Sequence, residues 1–153
     1  MNVFITALIA LGVVTVLMTH HFILAIRRQR FTRNAVRLSN DEFTKALQSP
    51  THLAPVLITL RNTMATLCKV PADTIHPHHT PKELTSLISD WDQVVFILDL
   101  ESAFHVEIPD EKASDFPSFV GERAFLWLKK PSNSFGEWCM KAATWANQRI
   151  EAI

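Results

Sequence analysis

Four carboxylates crowd into one short stretch of the chain: Asp90, Asp92, Asp99 and Glu101, with Trp91 between the first two. Paired carboxylates can share general acid and base work when their surroundings push their pKa values apart. Here they fall on the polar side of a helical repeat. Val94, Ile97, Leu100 and Phe104 recur at steps of three and four and define the apolar side. A solvated acidic face suits docking to a basic protein surface better than catalysis. Nucleic acid is excluded as its partner, because a phosphate backbone calls for the opposite sign. The histidines form two groups, His20-His21 and His76-Pro-His-His79. Neighbouring side chains on a helix point in different directions, so His20 and His21 do not chelate. Pro77 keeps the second group extended, with no cysteine or carboxylate beside it at ligand spacing, and a solvated loop is expected. Cys68 and Cys139 lie far apart on apolar helical faces, as buried thiols do. No Gly-rich phosphate loop, Ser/His/Asp set or Cys/His metal spacing occurs. The residues therefore predict no catalytic site and no metal site.

The elements that must position the acidic face are helices. Apolar residues make up 48% of the chain, with only three glycines and no tyrosine, which disfavours a turn-rich β fold. Residues 3–26 are nearly uncharged and long enough to cross a bilayer once. A cleaved signal peptide fits less well, since no positive region precedes the apolar run and arginines end it. Arg27, Arg28, Arg30, Arg33 and Arg37 follow at once. They predict an N-terminus outside, a C-terminal part in the cytoplasm, and attraction to anionic headgroups. The expected setting is a bacterial inner membrane. Net charge is zero, but its distribution is uneven. From Arg27 to Lys69 basic residues outnumber acidic ones eight to two, and from Val70 to Asp115 acidic ones lead ten to two. A basic juxtamembrane part thus precedes an acidic docking part.

Three capping signals punctuate the soluble part. Ser39-Asn-Asp-Glu42 opens a short helix to about Gln48, which Ser49-Pro50 breaks. Thr80-Pro-Lys-Glu83 opens another, with proline in the first turn, running through Leu84 to Ile88. Ser134-Phe-Gly-Glu137 opens a last helix with Phe135, Trp138, Cys139, Ala142, Trp145 and Ala146 along one side, expected to pack back on the rest. Between the first two, Leu53, Val56, Leu57, Leu60, Met64, Leu67 and Cys68 keep one helical stripe over four turns. The divisions expected are an anchor over 1–27, a basic segment with a short helix over 28–50, a bundle over 51–130 and an added amphipathic helix over 131–153.

The run Leu100-Glu-x-x-Phe104-x-x-Glu107-Ile-Pro-Asp-Glu-x-Ala113 resembles the second helix and following loop of acyl carrier proteins. The resemblance covers about Leu53 to Leu128, with Val70-Pro-Ala-Asp-Thr-Ile75 similar to the family's loop after its first helix and Lys69 where glycine is usual. It implies an all-α, carrier-like four-helix bundle, with a short third helix at Asp110–Ser114 and a fourth from Asp115. In the family, a serine at the start of the second helix carries 4′-phosphopantetheine. Counted without a gap, that position falls on Asp90, preceded by Ser89. A carboxylate is not the hydroxyl that the attachment reaction modifies, so no cofactor is expected. Asp90 can still cap the helix. The resemblance also implies partner docking through the acidic helix, here Asp90, Asp92, Asp99 and Glu101. The expected function is a membrane-anchored, non-catalytic binding or scaffold module, independent of phosphopantetheine. Two alternatives remain open: an active carrier modified at Ser86 or Ser89, since Thr85-Ser86-Leu87 is similar to the family's Asp-Ser-Leu, and a small regulatory or toxin-neutralising membrane protein.

Overall fold

The structure, a computed structural model, describes residues 3–89, 92–104 and 133–150. These residues form six α-helices and two 3-10 turns, and no strand occurs among them. The class is all-α. The helices expected after Asp110 and Asp115 lie outside the described residues.

Helix α1 runs from Val3 to Asn34 and is the one described helix long and apolar enough to cross a membrane. It continues past the anchor boundary expected at residue 27, so the first part of the basic segment is helical. Thr15 and Thr19 donate their hydroxyls back to the carbonyls of Leu11 and Thr15, both at 2.8 Å. This satisfies the two hydroxyls without a partner outside the helix. The large apolar side chains from Ile5 to Ile23 are exposed, and Leu24 is the first residue to be buried, at 3% exposure. From Ile5 to Ile23 the helix rises about 28 Å, close to the thickness of a hydrocarbon core.

Helix α2 (Asn40–Ala46) begins with the expected reciprocal box: Ser39 Oγ accepts from the Glu42 N–H, and the Glu42 carboxylate accepts from the Ser39 N–H. It stops two residues before Gln48, whose left-handed φ of 50° turns the chain away. After a 3-10 turn at Thr51–Leu53, helix α3 (Ala54–Cys68) forms the centre, with Pro55 in its first turn. Leu57, Leu60, Met64 and Cys68 are fully buried, as the stripe predicts. It ends where Lys69 takes φ 56° and ψ 46°, the conformation that glycine adopts most easily. The Lys69 and Val70 N–H groups bond back to Thr66 and Ala65.

A 3-10 turn at Ala72–Thr74 leads to helix α4 (Pro81–Thr85), whose Thr80–Glu83 box is complete. The helix is shorter than the sequence suggests, and Leu87 and Ile88 are buried in the turn that follows it. Helices α5 (Asp92–Phe104) and α6 (Phe135–Ile150) both pack on α3. The α6 stripe is buried except for the half-buried Trp145, with Phe135, Trp138 and Cys139 fully enclosed and Ala143 added. Phe135 stacks on Trp138 at 5.7 Å and meets Phe43 of α2 at 6.2 Å. The start of α6 departs in one detail: Ser134 Oγ accepts from the Glu137 N–H, and the Glu137 carboxylate accepts from the Asn133 N–H, one residue further back.

Candidate functional site

The acidic face is set by how α5 is clamped. Leu100 is fully buried and Phe104 packs half-buried against the same core, which fixes the rotation of the helix. That rotation leaves Leu98 58% exposed. Asp99 and Glu101 are half-buried, and Ser102 and Ala103 are exposed. Positions 98, 101 and 102 are neighbours on one helical face. The surface is thus an apolar side chain edged by carboxylates. Asp92 is the first residue of α5, where a helix dipole favours negative charge. Asp90 lies outside the described residues.

The two candidate serines sit elsewhere. Ser86 is the C-cap of α4, where its hydroxyl donates to the Glu83 carbonyl at 2.6 Å. A helix C-terminus disfavours an anion, and arginines from α1 occupy this one: Arg27 donates to the Ser86 carbonyl (3.4 Å) and Arg28 to the Leu87 carbonyl (3.0 Å). Ser89 is half-buried, three residues before α5. Ser86 does not share the helix N-terminus that the resemblance assigns to an attachment serine, and residues 90 and 91, between Ser89 and α5, lie outside the described residues.

The residues expected as a solvated histidine loop form a junction instead. His76 is buried, at 8% exposure, and its Nε2 meets the Val36 carbonyl just beyond α1. Its backbone N–H donates to His79 Nδ1 at 3.0 Å. The His79 ring also lies 4.9 Å from that of Phe31 of α1, tilted by 52°. Burial, with the nearby His76 and His78, lowers the His79 pKa to about 4, opposed by Glu83. The carbonyls of Pro77 and His79 then take the first N–H groups of α6, from Gly136 (2.6 Å) and Phe135 (2.7 Å). The loop is drawn inward because it satisfies the orphan donors of a helix start. His78 alone stays exposed. His76 and His79 spend ring nitrogens on the protein itself, and no described group of three His, Cys, Asp or Glu side chains could hold a metal. His20 and His21 are exposed on α1 with rings 6.2 Å apart and steeply inclined.

Arg61 completes this junction. It is 1% exposed, although it is one of the eight basic residues between Arg27 and Lys69. Its Nε–H donates to the Ile75 carbonyl (3.1 Å), one terminal nitrogen to Asn40 Oδ1 (3.0 Å) and the other to the Leu38 carbonyl (2.6 Å). Its guanidinium lies 4.6 Å from the centre of the Phe43 ring. Burial lowers its pKa, with Asp73 and Cys139 acting the other way. Leu38 also donates its N–H to Asp73 (2.8 Å), and Arg37 pairs with the Asp73 carboxylate (2.6 Å). The linker after α1 is therefore stitched to residues 73–76 on both sides. A signal for Arg61 was present: positions 57, 61, 64 and 68 continue one apolar stripe, and Arg61 is the charge standing on it.

Both cysteines are buried free thiols, as the sequence predicts. Burial raises the Cys68 pKa to about 12 and the Cys139 pKa well above its ordinary value, so neither is a poised nucleophile. No family model matches the chain, and no curated protein and no solved structure matches it either.

Proposed function

We propose that this chain is a membrane-tethered, non-catalytic module with a carrier-like helical bundle, which recruits a basic protein partner through the outer face of α5. The observation that carries this is Leu98, exposed between Asp99 and Glu101 on a helix whose rotation is fixed by Leu100. An exposed apolar centre edged by charge is the make-up of a docking patch: the apolar group gives affinity and the carboxylates give orientation and on-rate. The order of α3, a long loop holding a short helix, then α5 packed on α3 fits the carrier-like arrangement. The arginines after the apolar run support a cytoplasmic bundle and an outward N-terminus.

Two measurements test it. The chain, offered a phosphopantetheinyl transferase and CoA, should keep its intact mass. A gain equal to the prosthetic arm, lost in Ser86→Ala or Ser89→Ala, would make it a working carrier. A photo-crosslinker at Leu98 should yield one discrete adduct in native membranes. That adduct should vanish when Asp92, Asp99 and Glu101 are changed to Lys, with the helical spectrum unchanged. An adduct indifferent to those charges, or none, refutes the docking face.

A further inference from the structure

A basic cleft of about 620 Å³ lies where the end of α1 meets the turn after α3. Arg28, Gln29, Thr32, Arg33, Arg37 and Lys69 line it. Four of these six are cations. The carboxylate near them, Asp73, is engaged by Arg37, and Arg28 and Arg33 have no ion pair among the described residues. The cleft joins parts distant in sequence, α1 and the left-handed Lys69 turn, so it exists only in the folded chain. Arginine forks and neutral amide and hydroxyl donors together are the chemistry of a phosphate site.

Its height selects the source of the phosphate. Arg28 lies about 7 Å, and Arg33 about 15 Å, along the helix beyond Ile23, the last exposed large apolar residue of the run. The headgroup layer of a leaflet is about 5–8 Å deep, so the cleft starts at its outer edge, where long arginine side chains can reach back to the phosphates. We propose that this cleft binds the headgroup phosphate of an anionic phospholipid, one lipid per chain, at the foot of the anchor. Diffuse attraction of an arginine-rich segment to a charged surface would need no cleft. The proposal rests on α1 spanning the membrane, and the bound headgroup would add to the stitch that holds the bundle upright against the bilayer.

The test uses the full chain in nanodiscs of phosphatidylcholine, with and without phosphatidylglycerol, and reads retained lipid by native mass spectrometry. One phosphatidylglycerol should remain per chain, and phosphatidylcholine none. Arg33→Gln should lower retention about fivefold, the worth of one cation near the surface. Arg28 and Arg37 are left intact because they bond to the bundle. Several anionic lipids retained alike in wild type and variant would show diffuse attraction only and overturn the site. Displacement of the lipid by glycerol phosphate at matched concentration would make it a site for soluble phosphate and overturn the lipid assignment. Failure to insert in either composition would overturn the membrane span itself, and the lipid site with it.

Discussion

Arg61→Met removes the junction while keeping a long side chain in the core. Three bonds are lost, to Ile75, Leu38 and Asn40, together with the contact over Phe43. The Ile75 carbonyl faces the buried side and would be left without this donor, costing about 1–3 kcal/mol. The groups on Leu38 and Asn40 are partly buried, so water replaces some of the loss, leaving about 1 kcal/mol between them. The cation–π contact adds about 0.5–1 kcal/mol. Methionine recovers part of this, since it fills volume and needs no desolvation of a charge. The net cost is about 2–4 kcal/mol, which lowers a urea midpoint by about 2 M for a domain of this size. Unfolding of the full chain in nanodiscs, followed through the buried Trp138, measures it. Arg61→Lys decides the mechanism. Lysine keeps the charge but cannot span three acceptors on separate segments, so it should be no better than methionine. A lysine variant near wild-type stability would refute the account, because charge and not the fork would then matter.

Gln48→Gly should stabilise the chain by about 0.5–1 kcal/mol, read as a higher midpoint, because Gln48 is exposed and held at φ 50°. Gly136→Ala should destabilise by about 1–3 kcal/mol despite alanine's helix propensity, since the added Cβ would meet Leu47 Cδ2 at 2.7 Å and the Pro77 carbonyl at 3.0 Å; an unchanged melting temperature would show that the loop can yield. Stability should fall between pH 7 and pH 5 because of His79. Its folded pKa is about 4 and its unfolded value about 6.5, so over that window the unfolded chain binds a proton that the folded chain refuses. Screening at a half-buried site reduces the whole effect to about 1–2 kcal/mol, and His79→Asn, whose side-chain oxygen can replace Nδ1 as acceptor, should flatten the pH slope.

Helix positions were legible where signals were local. The boxes at Ser39 and Thr80 and the stripes of α3 and α6 act within a few residues, and the helices formed where those signals stand. One boundary shifted where the backbone used an unexpected residue, at Gln48, which like Lys69 holds a conformation normally given to glycine. The junction was not legible for a different reason. Its acceptors are backbone carbonyls, at Val36, Leu38 and Ile75, and a carbonyl leaves no mark on the residue type that carries it. Composition marks His76-Pro-His-His79 as polar, yet its burial comes from the N–H groups of α6 that its carbonyls accept and from its contacts with Phe31 and the Val36 carbonyl, all far away in sequence. Of the candidate docking face, Leu100 and the carboxylates could be read from periodicity. The exposure of Leu98 could not, because it depends on which side of α5 meets α3.

That junction changes what a membrane-spanning α1 would do. A flexible tether would let the bundle sample many orientations and would raise only its effective concentration for a partner at the same membrane. Here α1 is continuous from the apolar run to Asn34, and within four residues of its end the chain is held by Val36, Arg37 and Leu38. Leu24, Arg27, Arg28 and Phe31 fix the side of α1 that the bundle rests on. These bonds tie the bundle to the end of α1 on one side, and the expected consequence is an α5 face held near one angle to the helix axis. For the proposed docking, the orientational part of the binding entropy is then spent in folding, not at each encounter. Two glycines inserted between Asn34 and Ala35 would separate these effects. They should preserve insertion and the partner's proximity, yet weaken the Leu98 adduct if fixed orientation matters. An adduct of unchanged yield would mean that the anchor serves only to concentrate the bundle.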